Sequence, residues 1–152
     1  ADGAGAILFG TTNKNKKYIS NIQAEIDENQ ILTCKTDEKI QMKGKEIYKY
    51  AVTNTIENIK ALLQKAGANL EDIKYLIPHH SNTKIMKSIN TRLKLEEGKM
   101  FPNIEYVGNT FCASIPIAIN EMLENNLLQE KDKVILLGYG GGLNTGSILI
   151  EI

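Results

Sequence analysis

Cysteine is scarce in this sequence. Cys34 and Cys112 are the only two, and neither lies in a CxxC pair. That excludes a disulfide framework and a CxxC metal site, and points to a reducing, cytoplasmic setting. Charge of one sign is not in excess either: 18 Lys and Arg face 18 Asp and Glu, for a formal net charge of zero. No global field therefore argues for nucleic acid or an anionic membrane as partner, which leaves room only for a local basic patch. No apolar run approaches the roughly 20 residues that cross a bilayer, and no signal-peptide pattern opens the chain. Repeats and low-complexity segments are absent, and so is an initiator methionine. The chain opens Ala1-Asp2-Gly3-Ala4-Gly5-Ala6-Ile7-Leu8-Phe9, strand-like almost at once. A lone strand needs neighbours to satisfy its backbone, so the expectation is a piece of something longer.

What is present is an ordinary globular composition. With 152 residues, 42% hydrophobic and 24% charged, the chain suits one domain with one sizeable core. Residues 1–10 read as a strand, and Tyr18 to Ile26 alternates as a half-buried strand does. Residues 27–44 are polar, with a strand signal around Ile31-Leu32 and a loop closing at Gly44. From Glu46 the period becomes 3.6: Ile47, Ala51, Thr55-Ile56, Ile59, Leu62-Leu63 and Ala66 mark one helix face, and Gly67 ends it in a left-handed cap. A capped turn at residues 69–72 precedes a buried strand, Ile73 to Ile77. Ser81 or Asn82 then caps a helix with Ile85, Met86, Ile89 and Leu93 inside. A short strand is expected over Ile104 to Val107, and a helix from Ser114 to Asn125 with Pro116 in its first turn. Lys133 to Leu137 is a strand, and the glycines at 138–142 turn it into a last strand, Thr145 to Ile150. The alternation predicts an α/β layered fold: a mostly parallel sheet flanked by helices, with a terminal antiparallel hairpin.

In such sheets ligands bind outside the carboxyl ends of the strands. Three segments fall there: Pro78-His79-His80, Gly108-Asn109-Thr110 and Gly138 to Gly142. His79 follows a strand and a proline, so it projects from a strand end as a structural histidine, a general base or a hydrogen-bond donor. His80, next in sequence, points elsewhere. No cysteine or carboxylate lies at ligand spacing from the pair, which argues against zinc. Asn109 is either a turn or cap residue or an amide donor to a developing negative charge. The glycine run is no dinucleotide fingerprint, because a strand follows it instead of a helix. It is a tight hairpin turn or a bare backbone N–H for an oxyanion. Cys112 lies near Asn109 without an activating base in its sequence neighbourhood, and reads better as a small apolar residue than as a nucleophile.

Five segments carry a resemblance. Ile77-Pro78-His79-His80-Ser81-Asn82-Thr83-Lys84-Ile85 resembles I-P-H-Q-A-N-x-R-I. Residues 108–118, Gly108-Asn109-Thr110-Phe111-Cys112-Ala113-Ser114-Ile115-Pro116-Ile117-Ala118, resemble G-N-T-S-A-A-S-I-P-I-A. Gly138-Tyr139-Gly140-Gly141-Gly142 is similar to G-F-G-G-G, Met42 to Lys49 to M-x-G-x-E-V-F-K, and Ala1 to Ala6 to G-D-G-A-G-A. These blocks, in this order, belong to the β-ketoacyl-acyl-carrier-protein synthase III (3-oxoacyl-ACP synthase III) family. The resemblance implies a thiolase-like fold of two similar halves, with residues 1–10 the last strand of the first half and residues 11–152 the C-terminal half.

It further implies a decarboxylating Claisen condensation of an acyl-CoA starter with malonyl-acyl-carrier protein, which initiates fatty-acid synthesis, in a homodimeric cytoplasmic enzyme. CoA and phosphopantetheine thioesters are substrates there, and no separate cofactor or metal is implied. By position His79 and Asn109 stabilise the enolate, and the Gly141 N–H helps hold the acyl oxyanion. Gly44, Tyr48 and Asn82 line the pantetheine tunnel, while Lys49, Lys84 and Arg92 meet phosphate or the acidic carrier protein. The nucleophilic cysteine lies in the other half, so this chain alone is expected to be inactive. Departures stand at His80-Ser81 for Gln-Ala, Lys84 for Arg, Phe111-Cys112 for smaller residues, and Leu143 to Gly146 where a tryptophan is usual. They bear on the starter pocket and keep two other readings open: a secondary-metabolite acyltransferase of the same type, and a non-catalytic module binding CoA or carrier protein.

Overall fold

The structure, a computed structural model, describes residues 1–8, 10 and 18–152. A four-stranded sheet runs in the order β1 (Tyr18–Glu25), β6 (Leu143–Glu151), β5 (Lys133–Gly140), β4 (Tyr75–Pro78). A two-residue ladder, β2 (Leu32–Thr33) with β3 (Gln41–Met42), stands apart from it. The expected α/β class and terminal hairpin are both present. The sheet is mixed, however: among the described strands β4–β5 is parallel, while β5–β6 and β6–β1 are antiparallel. Hairpin closure of β5 on β6 forces the antiparallel turn, and only the helical crossover from β4 to β5 produces a parallel pair.

Strand β5 shows the period of two directly. Ile135 and Leu137 face a core with Leu76, Leu149 and the helices α1 (Gly44–Ala66) and α2 (Thr83–Leu93). Val134 faces the other side, against Ile77, Phe101 and the Ala118 and Met122 of α4 (Ser114–Glu124). Helices thus cover both faces of the sheet. Each fully buried Ile or Leu contributes roughly 1.5–3 kcal/mol relative to exposure, and Ile59, Leu62, Ile135 and Leu137 are all 0% exposed.

Helix α1 forms where the 3.6-residue period predicts it, with Ala51, Val52, Ile56, Ile59 and Leu62 inside. It ends as expected at Gly67 (φ 60), where the Gly67 N–H reaches Gln64 O and the Ala68 N–H reaches Leu63 O. These two bonds satisfy carbonyls that the helix end leaves open. One polar side chain is built into this interface. Asn58 is 0% exposed; its amide donates to Gln23 Oε1 (3.1 Å) and Thr145 O (3.4 Å), and its oxygen accepts from Ser147 Oγ. It pins α1 to β1 and β6 together.

Two sequence expectations are corrected. Ile104–Val107 is one helical turn, α3, instead of a strand, closed by Val107 N–H to Asn103 O at 3.0 Å and Gly108 N–H to Ile104 O at 2.9 Å. Four residues are too few to separate a period of two from 3.6, and the β4 edge is already met upstream by the Leu76–Met100 bridge. Residues 1–8 and 10 are not in a strand either, and Phe9 lies outside the described residues. The opening segment instead lies against the start of α4, so closely that a Cβ on Gly5 would come within 2.4 Å of Pro116 Cβ. The domain boundary expected after residue 10 abuts residues 11–17, which lie outside the described residues. No helix among the described residues is long and apolar enough to cross a membrane.

Asn58→Ala is expected to cost about 1–3 kcal/mol, because it strands the buried Thr145 carbonyl and Ser147 hydroxyl on β6. Glu57→Ala, at the exposed neighbouring position, is expected to change stability by less than about 0.5 kcal/mol. Urea unfolding of both variants reads the difference, and equal midpoints would remove Asn58 from its pinning role.

Candidate active site

The site begins at the end of β4. Pro78 lacks an N–H and is tolerated because β4 is an edge strand. The ladder resumes one residue later, where His79 N–H donates to Leu137 O at 2.7 Å. Ser81 N–H then bonds His79 O at 2.9 Å, tightening the chain before Asn82 caps α2 by accepting from Lys84 N at 2.8 Å. The two histidines diverge as expected. His80 is fully buried, with Nε2 on Phe101 O at 3.0 Å. His79 is half-buried and turns to Ser114 at the N-terminus of α4, with Nδ1 and Oγ 2.8 Å apart.

Ser114 is 1% exposed, and its single hydroxyl proton has two acceptors in reach, Phe111 O and His79 Nδ1, each at 2.8 Å. If Phe111 receives it, the serine oxygen accepts from Nδ1–H and a neutral ring has a bare Nε2. If Nδ1 receives it, the proton of the neutral ring sits on Nε2. Burial, reinforced by the neighbouring His80, holds the His79 pKa below its ordinary value, with a hydrogen bond to the Phe111 backbone opposing. Burial also lowers His80, against the hydrogen bond to the Phe101 backbone, the nearby Asn103 amide and the charge of Glu121.

Asn109 lies in the loop between α3 and α4. Its Oδ1 accepts from Phe111 N at 2.9 Å, and its Nδ2 donates to Ser81 O at 3.3 Å. The amide is therefore oriented with nitrogen toward the His79 turn, and one of its two N–H groups remains for a ligand. Phe111 itself adopts φ 52, a left-handed conformation costly for a bulky residue. The glycine run closes the hairpin beyond the last β5–β6 pair, Gly140 with Asn144, and Gly141 (φ 59) and Gly142 (φ 86) lie in the left-handed region that favours glycine. The contacts described for Gly141 tie it to Asn144, whose Nδ2 donates to Gly141 O at 2.6 Å, and not to His79 or Asn109.

The remaining expected residues lie on α1 and α2, which pack together. Gly44 starts α1, and Tyr48 joins Ser88 of α2 through their hydroxyls at 2.6 Å. Lys49, Asn82, Lys84 and Arg92 are exposed. An open pocket of about 450 Å³ sits between residues 1–5 and residues 110–113, beside the site but not lined by His79 or Asn109. Exposed Cys112 borders it. Three residues escaped the sequence reading. Ser114 holds the His79 ring, Tyr139 meets that ring edge-on with centroids 5.5 Å apart and planes at 64°, and Ser81 bonds the Tyr139 hydroxyl. Ser114 and Tyr139 lie far from His79 in the chain, so no local pattern could have found them.

The sequence model for the 3-oxoacyl-[acyl-carrier-protein (ACP)] synthase III C terminal matches residues 63–152. The chain belongs to this synthase III family. It is 40% identical over 150 residues to beta-ketoacyl-[acyl-carrier-protein] synthase III 1 of Bacillus anthracis, covering 99% of this chain and 48% of that protein. It is 41% identical over 126 residues to the synthase III of Clostridium novyi, covering 82% of this chain and 39% of that protein. The synthase III crystal structure from Aquifex aeolicus superimposes with a TM-score of 0.88 at 31% identity, over 93% of this chain and 46% of that one. Xanthomonas campestris OleA shares the fold at 17% identity and a TM-score of 0.81, over 90% of this chain and 40% of that one. The chain thus spans about half the length of the curated synthase III relatives it matches.

Both histidines sit below their ordinary 6.5, so the unfolded chain binds protons more readily than the folded one. The stability they contribute is complete above 6.5 and is lost as pH falls through the depressed folded values. Thermal melts from about pH 8 to about pH 5 are expected to show a flat Tm that declines below about 6.5. NMR titration of the imidazoles is expected to place both midpoints below 6.5, and a midpoint at or above it would contradict burial as the governing effect.

Proposed function

We propose that this chain supplies the enolate-stabilising part of a β-ketoacyl-acyl-carrier-protein synthase III. The observation that carries the reading is the juncture of His79 and Asn109, contributed by different loops and joined through Ser81, whose N–H donates to His79 O and whose carbonyl accepts from Asn109. In the proposed step the bond from the malonyl α-carbon to its carboxylate breaks, and carbon dioxide leaves. The electron pair flows toward the thioester oxygen, where His79 Nε2–H and an Asn109 N–H donate. Donation by neutral His79 requires the state in which Ser114 gives its proton to Nδ1. Its lowered pKa keeps the ring neutral near pH 7, so the acceptor meets a neutral donor.

The enolate carbon then attacks an acyl thioester on a cysteine outside this chain. The new carbon–carbon bond forms as the Gly141 N–H bonds the acyl oxyanion, and the cysteine thiolate departs as that oxyanion collapses to the ketone. Gly44, Tyr48 and Asn82 line the pantetheine path. Lys49, Lys84 and Arg92 contact CoA phosphate or acyl carrier protein, and the complete enzyme works as a homodimer. A second reading is supported by Phe111, a bulky residue beside Asn109 that lines the open pocket where the resembling segment has a smaller one: a related acyltransferase of secondary metabolism, using a different starter.

The test is carried out on the complete translated protein, with malonyl-carrier protein and a panel of acyl-CoA starters. Carbon dioxide release with at least one starter is expected, and its absence with all of them sinks the condensing reading. H79A and N109A are each expected to lower kcat about a hundredfold or more, the scale for removing one oxyanion donor. The 152-residue chain alone is expected to give no turnover. Turnover by the chain alone would overturn that assignment and turn attention to Cys112.

A further inference from the structure

Tyr139 and Ser81 meet beside the two polar groups assigned to the enolate. Tyr139 lies on β5 two residues beyond Leu137, whose carbonyl holds the His79 N–H. The same strand therefore fixes both the backbone of His79 and the ring packed edge-on against its imidazole. At the far end of that ring the hydroxyl bonds Ser81 Oγ. Ser81 is tied back to His79 by its own N–H at 2.9 Å, and its carbonyl accepts from Asn109 at 3.3 Å. Ring, hydroxyl pair and turn thus close a circuit through His79, with Asn109 attached at one corner.

The two hydroxyls are matched to each other. A half-buried phenol without a partner is costly, and a serine hydroxyl left against a bare ring is costly too, so each makes the other tolerable. Burial raises the Tyr139 pKa to about 12 against the opposing Ser81 hydrogen bond, so its proton is retained across the working range. Ser81 and Tyr139 stand where the segments compared above carry alanine and phenylalanine, so the two departures are one paired feature of this chain.

We propose that the Ser81–Tyr139 hydroxyl pair is a positioning clasp that holds the His79 ring and the Asn109 amide toward one substrate oxygen. The clasp rests on the functional reading above, and its test separates the two. Variants S81A, Y139F and S81A/Y139F are compared in the complete protein. Each single variant is expected to lower kcat about tenfold with KM within about twofold, and the double variant to lose no more than either single, since the two hydroxyls act as one unit. The parallel readout is the imidazole NMR of the same proteins. In the single variants and the double variant alike the tautomer and titration signals of His79 should move, while those of His80, anchored to Phe101, stay in place. S81T, which keeps a hydroxyl, should resemble the parent and serves if S81A fails to fold.

Strictly multiplicative losses, unchanged single variants, or equal movement of both histidines would overturn the clasp. A parent protein that releases no carbon dioxide while His79 alone responds to S81A and Y139F would sink the synthase reading and leave the clasp standing.

Discussion

The hydrogen bonding of β5 on both its edges is the constraint on which the rest of the structure depends. Its parallel edge holds β4 and its antiparallel edge holds β6, while Val134, Ile135 and Leu137 are all 0% exposed. A strand buried on both faces admits no register slip, because one residue of shift would exchange the α1 and α4 cores. The parallel ladder leaves β4 ending where the Leu137 carbonyl can take the His79 N–H, and two residues further along β5 carries the ring that packs on His79. Site geometry is thus an extension of core geometry.

The adjacent histidines show how tertiary structure separates similar residues. Both have a backbone or side-chain atom near the Ser114 hydroxyl, yet one ring joins the core through Phe101 and the other remains partly open. Leaving a strand end, successive side chains point to opposite sides, and only one of those sides is closed by the residues around Phe101. A single buried serine at the start of α4 then couples the helix to the tautomer of the half-open imidazole.

Much of the frame was legible because it is local. The α1 stripe from Ala51 to Leu63, the Gly67 ending, the Asn82 cap and the strand over Tyr18 to Glu25 are signatures carried in windows of a few residues, although the apolar side chains of that alternation, Tyr18, Ile22 and Ile26, are exposed instead of half-buried. Local windows also mislead: Ile104–Val107 has a strand-like pattern but closes as one helical turn, and Gln41–Met42 carries no strand signal of its own, because its pairing with Leu32–Thr33 is what makes it a strand. His79 and Asn109 were legible as polar residues leaving predicted elements and as parts of quoted motifs. Ser114, Ser81 and Tyr139 were not, since their roles exist only through contacts between residues 35 and 58 positions apart in the chain.

By itself, the sequence determined the helix stripes and caps, the α/β class, the family blocks and which polar residues leave strand ends. Each of these depends on neighbours within a turn or two of chain, or on an ordered set of motifs. Only the tertiary structure decided that the sheet is mixed, that His80 is a core residue and His79 is not, and that a tyrosine and a serine close around the latter. Those outcomes depend on which distant groups share a buried space, where a polar group must find its partner wherever the fold has placed one.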